Sequence, residues 1–206
     1  MMTNLANEVA RFKKWAPGHE GTSGEWECDY EHWNDLWEAA KELMQRCAVK
    51  LPDIETSQDL LYAIARDNES EILREELVQY PKLLRHPAQL GVDSCESDAK
   101  WQITVTVAET QLSDAADLIR PYLTDSDEYV RRRSLLAIAP FAPIEAGDIA
   151  KAWMEEDYEY SRIASLHVLN IVNSDSLSFY LERNTNDPNQ YVRSNVEKIK
   201  KKRQKT

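Results

Sequence analysis

The chain has 206 residues, 42% hydrophobic and 30% charged, with 36 acids against 25 Lys and Arg and a formal net charge of −11. This supplies enough apolar material for a sizeable core and argues against general disorder. Its 5 Gly and 8 Pro are too few for a turn-rich β-sandwich. The acidity disfavours nucleic acid as a partner, since phosphate binding needs clustered Lys and Arg. No apolar run approaches the roughly 20 residues of a membrane span, so no membrane role is expected. The start of the chain lacks the apolar stretch of a secretory signal. Cys28, Cys47 and Cys95 are odd in number and far apart, reading as reduced thiols of a cytoplasmic protein.

Residues 1–56 begin with a segment whose loop, residues 16–24, holds three of the five glycines. Trp26, Tyr30, Trp33 and Trp37 follow at spacings of 4, 3 and 4, which predicts one face of a helix continuing to about Val49. Around that face lie Glu25, Glu27, Asp29, Glu31, Asp35 and Glu38. From residue 57, helices are expected over 60–65 and 70–80. The run WQITVTV from Trp101 alternates like a strand when taken alone, but its phase relative to the segments downstream argues for a helix.

Further along, Leu118, Ile119, Tyr122 and Leu123 share one helical face, and Val130, Ser134, Ala137, Ile138 and Phe141 share another. Ile149, Ala150, Trp153 and Met154 form a third, and Ile163, Leu166, Leu169 and Val172 a fourth. Pro140 and Pro143 separate the two pairs, and Gly147 is expected to precede the next helix. Residues 193–206 carry seven bases against Glu197, a basic tail that leaves −17 on residues 1–192.

The segments TDSDEYVRR from Thr124, EEDYEYSRI from Glu155 and NDPNQYVRS from Asn186 each start 31 residues after the last. Tyr129, Tyr160 and Tyr191 coincide, as do Arg131, Arg162 and Arg193, and the acids Asp125, Glu156 and Asp187. A period of about 30–45 residues is the mark of stacked helix pairs. The Asp/Ser/Asn-rich motif lies between two helices and is positioned to cap the second. In the third copy, Asn184, Glu197 and Lys200 replace apolar residues, as in a terminal repeat facing water.

The repeated D-x-x-x-Y-[VS]-R signature resembles HEAT repeats over 115–200, more weakly over 57–114, and not over 1–56. The resemblance implies an all-α fold, an α-solenoid of about five HEAT-like helix pairs over 57–200. Because a solenoid end needs a closing element, residues 1–56 are expected to form an N-terminal helical cap, and the basic residues at the end of the chain to form a tail over 201–206. A ladder of Asp125, Arg131, Glu156, Arg162, Asp187 and Arg193 linking neighbouring repeats is implied as well. Ser161 stands where Val is usual.

HEAT-like proteins present a concave surface to protein partners. Small bacterial examples include immunity proteins of toxin systems, alkylpurine DNA glycosylases and phycobilin-lyase-like scaffolds. The acidic body and the aromatic–acidic cap suit the immunity class: a non-catalytic protein that neutralises a basic toxin domain, such as a nuclease, by direct binding. Acid steers association with a basic partner. The expected contacts are Asp29, Asp35, Glu155, Glu156, Asp157 and Glu159. A general scaffold is the alternative. A DNA glycosylase would need a basic channel and an Asp among aromatics, for which Trp101, Trp153, Asp98 and Asp157 are the candidates.

No cofactor or metal is expected. Cys28 and His32 sit i, i+4 beside Asp29, but no second ligand pair has metal spacing. Cys95 has no local His; His86 precedes Pro87 and His167 sits within the second repeat, and nothing in the sequence points to a Cys/His dyad. Phosphate-binding and nucleophile motifs are absent. Arg132 and Arg133, beside Arg131, read as a solvated face, and Trp101 and Trp153 as core.

Overall fold

The computed structural model describes residues 4–19, 26–47 and 50–205, without the side chains of Trp26 and Cys28. The loop residues 20–24, together with Glu25 and Val49 and the Cys28 thiol of the metal reading, thus lie outside the described residues. Among the described residues the regular structure is helical throughout, with twelve α-helices, four short 3₁₀ turns and no strand. No described helix is long and apolar enough to cross a membrane. The chain divides into two compact units, Met1–Leu112 and Ser113–Thr206.

The first unit contains α1 (Leu5–Trp15), α2 (Trp33–Cys47), α3 (Ile54–Arg66), α4 (Ile72–Leu77), α5 (Pro81–Leu90) and α6 (Ser97–Glu109). Helix α3 is its centre, packing against all five others. It buries Leu60, Leu61, Ala63, Ile64 and Ala65, an apolar surface wide enough for several neighbours. Each Leu or Ile so buried contributes about 2 kcal/mol. Asn4 caps α1 by accepting from the Ala6 amide, and Asp53 caps α3 by accepting from Thr56. Asp67 ends α3 and opens α4, because its Oδ2 accepts from the Leu73 amide at 2.7 Å. The segments 1–56 and 57–112 therefore share one core.

The continuous aromatic helix is not what forms. Trp26–Asp29 is a 3₁₀ turn, the chain breaks at Tyr30, and α2 starts at Trp33. Tertiary burial decides this: Tyr30 turns into a cluster with Phe12 and Trp15, at ring centroid distances of 4.6 and 5.0 Å. Trp33 Nε1 donates to the Glu27 carbonyl at 2.8 Å and pins the break. Helix α5, which contains Pro87, buries Leu83, Leu84, Pro87 and Ala88 on one face.

WQITVTV is helical, within α6. Its strand-like polar positions, Gln102, Thr104 and Thr106, are wholly buried, and the Gln102 Oε1 has no hydrogen-bond partner among the described residues. The Thr104 and Thr106 hydroxyls donate back to the carbonyls of Trp101 and Gln102. Gln102 Nε2 donates to the Ile64 carbonyl at 2.7 Å and ties α6 to α3.

The second unit contains α7 (Ala115–Ile119) running into a 3₁₀ turn (Arg120–Thr124), α8 (Glu128–Ile138), α9 (Pro143–Trp153), α10 (Glu159–Ile171), α11 (Leu177–Arg183) and α12 (Gln190–Arg203). The 31-residue period appears directly: α8, α10 and α12 start at Glu128, Glu159 and Gln190, each one residue before a repeat tyrosine. Helix α10 is central and packs against α8, α9, α11 and α12, with Leu166, Val168 and Leu169 fully buried.

Three local expectations are corrected. Gly147 lies inside α9, where an added Cβ would sit 3.6 Å from Val172 Cγ2. Asn184 is buried instead of facing water, because its Nδ2 donates to the Tyr180 carbonyl at 2.8 Å. Trp153 is only half-buried, whereas Trp101 is core. The basic tail continues as helix to Arg203, with four cations in the last turn of α12 complementing the carbonyl end of its dipole.

Candidate functional site

The turns before α8, α10 and α12 are built alike. Arg131 Nη1 donates to the carbonyls of Asp125 and Ser126 at 2.7 and 3.0 Å. Arg162 Nη1 does the same to Glu156 and Asp157 at 3.0 and 2.7 Å, and Arg193 Nη1 to Asp187 and Pro188 at 2.6 and 2.9 Å. Each repeat arginine thus closes its own turn. Arg162 also reaches the next turn: its Nε and Nη2 meet the Asp187 carboxylate at 3.1 and 3.2 Å. The carboxylates of Asp125 and Asp187 both accept from the amide two residues on, those of Asp127 and Asn189.

The caps differ. Asp127 accepts from the Tyr129 and Val130 amides, and Asn189 from the Tyr191 amide. At the equivalent place before α10 stands Tyr158, which makes no side-chain cap. The sequence shows this substitution directly, as D-E-Y, Y-E-Y and N-Q-Y at Asp127, Tyr158 and Asn189.

The turn before α10 also carries the acid cluster. Glu155 forms a two-pronged pair with Arg183 at 2.5 and 2.8 Å, and the Arg183 hydrogen bond holds its carboxyl below the ordinary range. Glu156 and Asp157 are exposed, and only their carbonyls are engaged by Arg162. Glu159 is half-exposed and makes no ion pair with any described residue. Glu155, Glu156 and Asp157, but not Glu159, rim a hollow of about 360 Å³ that is also lined by Arg162, Arg183 and Asp187. The other expected contacts belong to the first unit. Asp29 is exposed, and Asp35 is held by Arg11 at 3.0 Å and lies 3.4 Å from His32 Nδ1.

Sequence reasoning missed a row of exposed aromatics. Tyr129, Tyr158, Tyr160 and Tyr191 are 41%, 42%, 39% and 54% exposed, all at the starts of α8, α10 and α12. Arg132, read as solvated, is inserted among them. Its guanidinium lies 5.1 Å from the Tyr129 ring centre and 5.0 Å from that of Tyr160, and it pairs with Glu128. Tyr158 packs 5.5 Å from Tyr160. Burial, then the Glu128 charge, pushes the Tyr158 phenol up. The available signal was the 31-residue recurrence of tyrosine at helix starts, which core packing does not require.

The arrangement offers aromatic faces, exposed carboxylates and two guanidinium groups over the rings, Arg132 and, 5.9 Å from Tyr129, Arg133, a chemistry of recognition. Among the described residues no group of His, Cys, Asp and Glu is set to hold a metal ion. Cys95 borders a hollow of about 340 Å³ with Lys13, Tyr62, Asp93 and Glu96, and no histidine lines it. His167 faces Asn195 at 2.9 Å. Of the glycosylase candidates, Asp98 is occupied by the Trp101 Nε1 at 3.1 Å, and Asp157 lies at the acidic turn.

The acid is unevenly divided. Residues 1–112 hold 21 acids and 11 Lys and Arg, and residues 113–206 hold 15 and 14. Comparison of the chain with protein families, with curated proteins and with solved structures found no match.

Proposed function

We propose that this chain is a non-catalytic protein-binding protein, a HEAT-like α-solenoid whose second unit docks a basic protein partner. Most concretely, it is an immunity protein that neutralises a toxin domain. The observation that carries this reading is the row Tyr129, Tyr158, Tyr160 and Tyr191, exposed beside Glu156, Asp157 and Glu159. Exposed tyrosines clustered at one level of a fold are the side chains that dominate protein interfaces. They supply rigid area at low conformational cost. A second consideration is Tyr158, placed where a helix cap would stabilise α10. A residue that forgoes a local stabilising role is expected where function competes with stability. The adjoining carboxylates set the sign of the partner, since complementary charge accelerates encounter and excludes wrong partners.

The test is affinity capture from lysate of the protein's own host, run in parallel with wild type and with Glu156→Lys/Asp157→Lys. A single stoichiometric basic protein held by the wild type and lost by the variant supports the reading. Rescue of cells from that protein's toxicity then separates an inhibitor from a scaffold. Nucleic acid retained in low salt with no protein partner would overturn it.

A further inference from the structure

The residue positions that form the slot occupied by Arg132 recur along the second unit. The slot is made by Glu128 and Tyr129 at the start of α8 and by Tyr160 at the start of α10. One period later the same positions are Glu159, Tyr160 and Tyr191, at the starts of α10 and α12. Helices α10 and α12 pack directly against each other, as α8 and α10 do. The position that supplies the guanidinium does not recur, because Ile163 stands one period after Arg132. The second slot therefore has its acid and its two tyrosines but no cation at the Ile163 position, although one of its rings, Tyr160, already has Arg132 at 5.0 Å and Tyr158 at 5.5 Å. Its Tyr160 and Tyr191 rings are exposed, Ile163 is half-buried, and Glu159 makes no ion pair with any described residue.

We propose that this second slot receives an arginine side chain of the partner protein. The incoming guanidinium would lie between the faces of Tyr160 and Tyr191 and pair with Glu159, repeating the contacts of Arg132. The chemistry favours arginine over lysine. Its planar guanidinium stacks on aromatic rings while donating to a carboxylate, whereas an ammonium is a compact and strongly hydrated point charge. The Ile163 side chain would serve as the apolar floor under the arginine stem. This inference rests on the basic-partner reading and specifies the group by which that partner is recognised.

The experiment titrates the full chain with acetyl-Gly-Arg-Gly-amide, followed by NMR of backbone amides and tyrosine ring protons. Counterparts with lysine and with citrulline, the neutral isostere of arginine, are run alongside. Saturable shifts centred on Tyr160, Ile163 and Tyr191 are expected with the arginine peptide. The lysine peptide should bind at least about threefold more weakly, and the citrulline peptide still less. Ile163→Arg should fill the slot with the chain's own guanidinium and abolish the shifts. Glu159→Gln, which leaves the packing of Ile163 untouched, should weaken them and keeps the test valid if the first variant does not fold. Equal shifts with the citrulline peptide, shifts unchanged in Glu159→Gln, or no shift at Tyr191 would overturn the proposal. In lysate capture, a basic partner bound equally by wild type and a folded Ile163→Arg protein would sink the slot while leaving the proposed function standing. Absence of any basic protein partner would count against the proposed function, and the peptide titration still decides the slot.

Discussion

Trp37 Nε1 donates to Oδ1 of Asp67 at 2.9 Å, across 30 residues of chain, and this bond holds a nearly solvent-free carboxylate at the junction of α3 and α4. Burial pushes the Asp67 carboxyl up from 3.8 to about 6, against the opposing hydrogen bonds from Leu73, Trp37 and Ile72. The folded state therefore keeps a proton that the unfolded chain has already released between about pH 4 and pH 6. Because the folded state binds more protons in that window, its stability falls as pH rises through it and levels off above. A shift of about two units corresponds to about 3 kcal/mol in full. Asp67→Asn should lack this slope. Denaturant unfolding at several pH values is expected to show the stability of the wild type relative to the variant falling by up to about 3 kcal/mol from pH 4 to pH 7. Parallel pH profiles would remove Asp67 as the source.

The Arg162–Asp187 pair is shielded, with side chains 12% and 6% exposed, and Asp187 also receives the Asn189 amide. Removing one member leaves a buried charge without its partner. Asp187→Ala should therefore cost about 3 kcal/mol in urea unfolding. Glu145→Ala breaks the exposed pair with Arg120 and should leave the unfolding midpoint nearly unchanged. Equal losses in the two variants would show that burial does not set the strength of these pairs.

Tyr158→Asp restores the cap found before α8 and α12. It should stabilise the protein by about 1 kcal/mol, read as a raised melting temperature. The same variant should bind the captured partner more weakly. A gain in stability with unchanged affinity would place Tyr158 outside the interface.

Glu156→Lys/Asp157→Lys reverses charges whose side chains have no ion-pair role in the turn, unlike Glu155, which holds Arg183. Association with the captured basic partner should slow at least about tenfold at low salt, with the difference shrinking as salt is added. Melting should change little. A collapse in melting with an unaltered on-rate would assign these acids to the turn itself.

Much of the second unit was legible in the sequence because it repeats. The 31-residue recurrence of Tyr129, Tyr160 and Tyr191 located the starts of three helices, and the motif expected to cap them does so through Asp127 and Asn189 before α8 and α12 but not before α10. The same phase assigned α6 correctly against its own alternation, since a period shared with neighbours carries more information than one short run. The first unit was less legible. Spacing placed Trp26, Tyr30, Trp33 and Trp37 on one helix, but spacing records only what a helix would do if one formed. The contacts of Tyr30 with Phe12 and Trp15 break it. Helix α5 carries Pro87 and packs on α3 and α6, with Leu83, Leu84 and Ala88 buried on one face.

The all-helical character, the repeat length, the identity of the turn residues and the net acidity are all legible without the fold. These follow from apolar periodicity, capping chemistry and charge, properties of residues and their near neighbours in the chain. Only the tertiary structure decided that Arg132 lies between Tyr129 and Tyr160, that Arg162 meets Asp187, and that Asp67 is buried beneath Trp37. The partners in those contacts lie up to 30 residues apart in sequence. Their meeting depends on how packed helices bring turns together, and that packing is settled by the whole core.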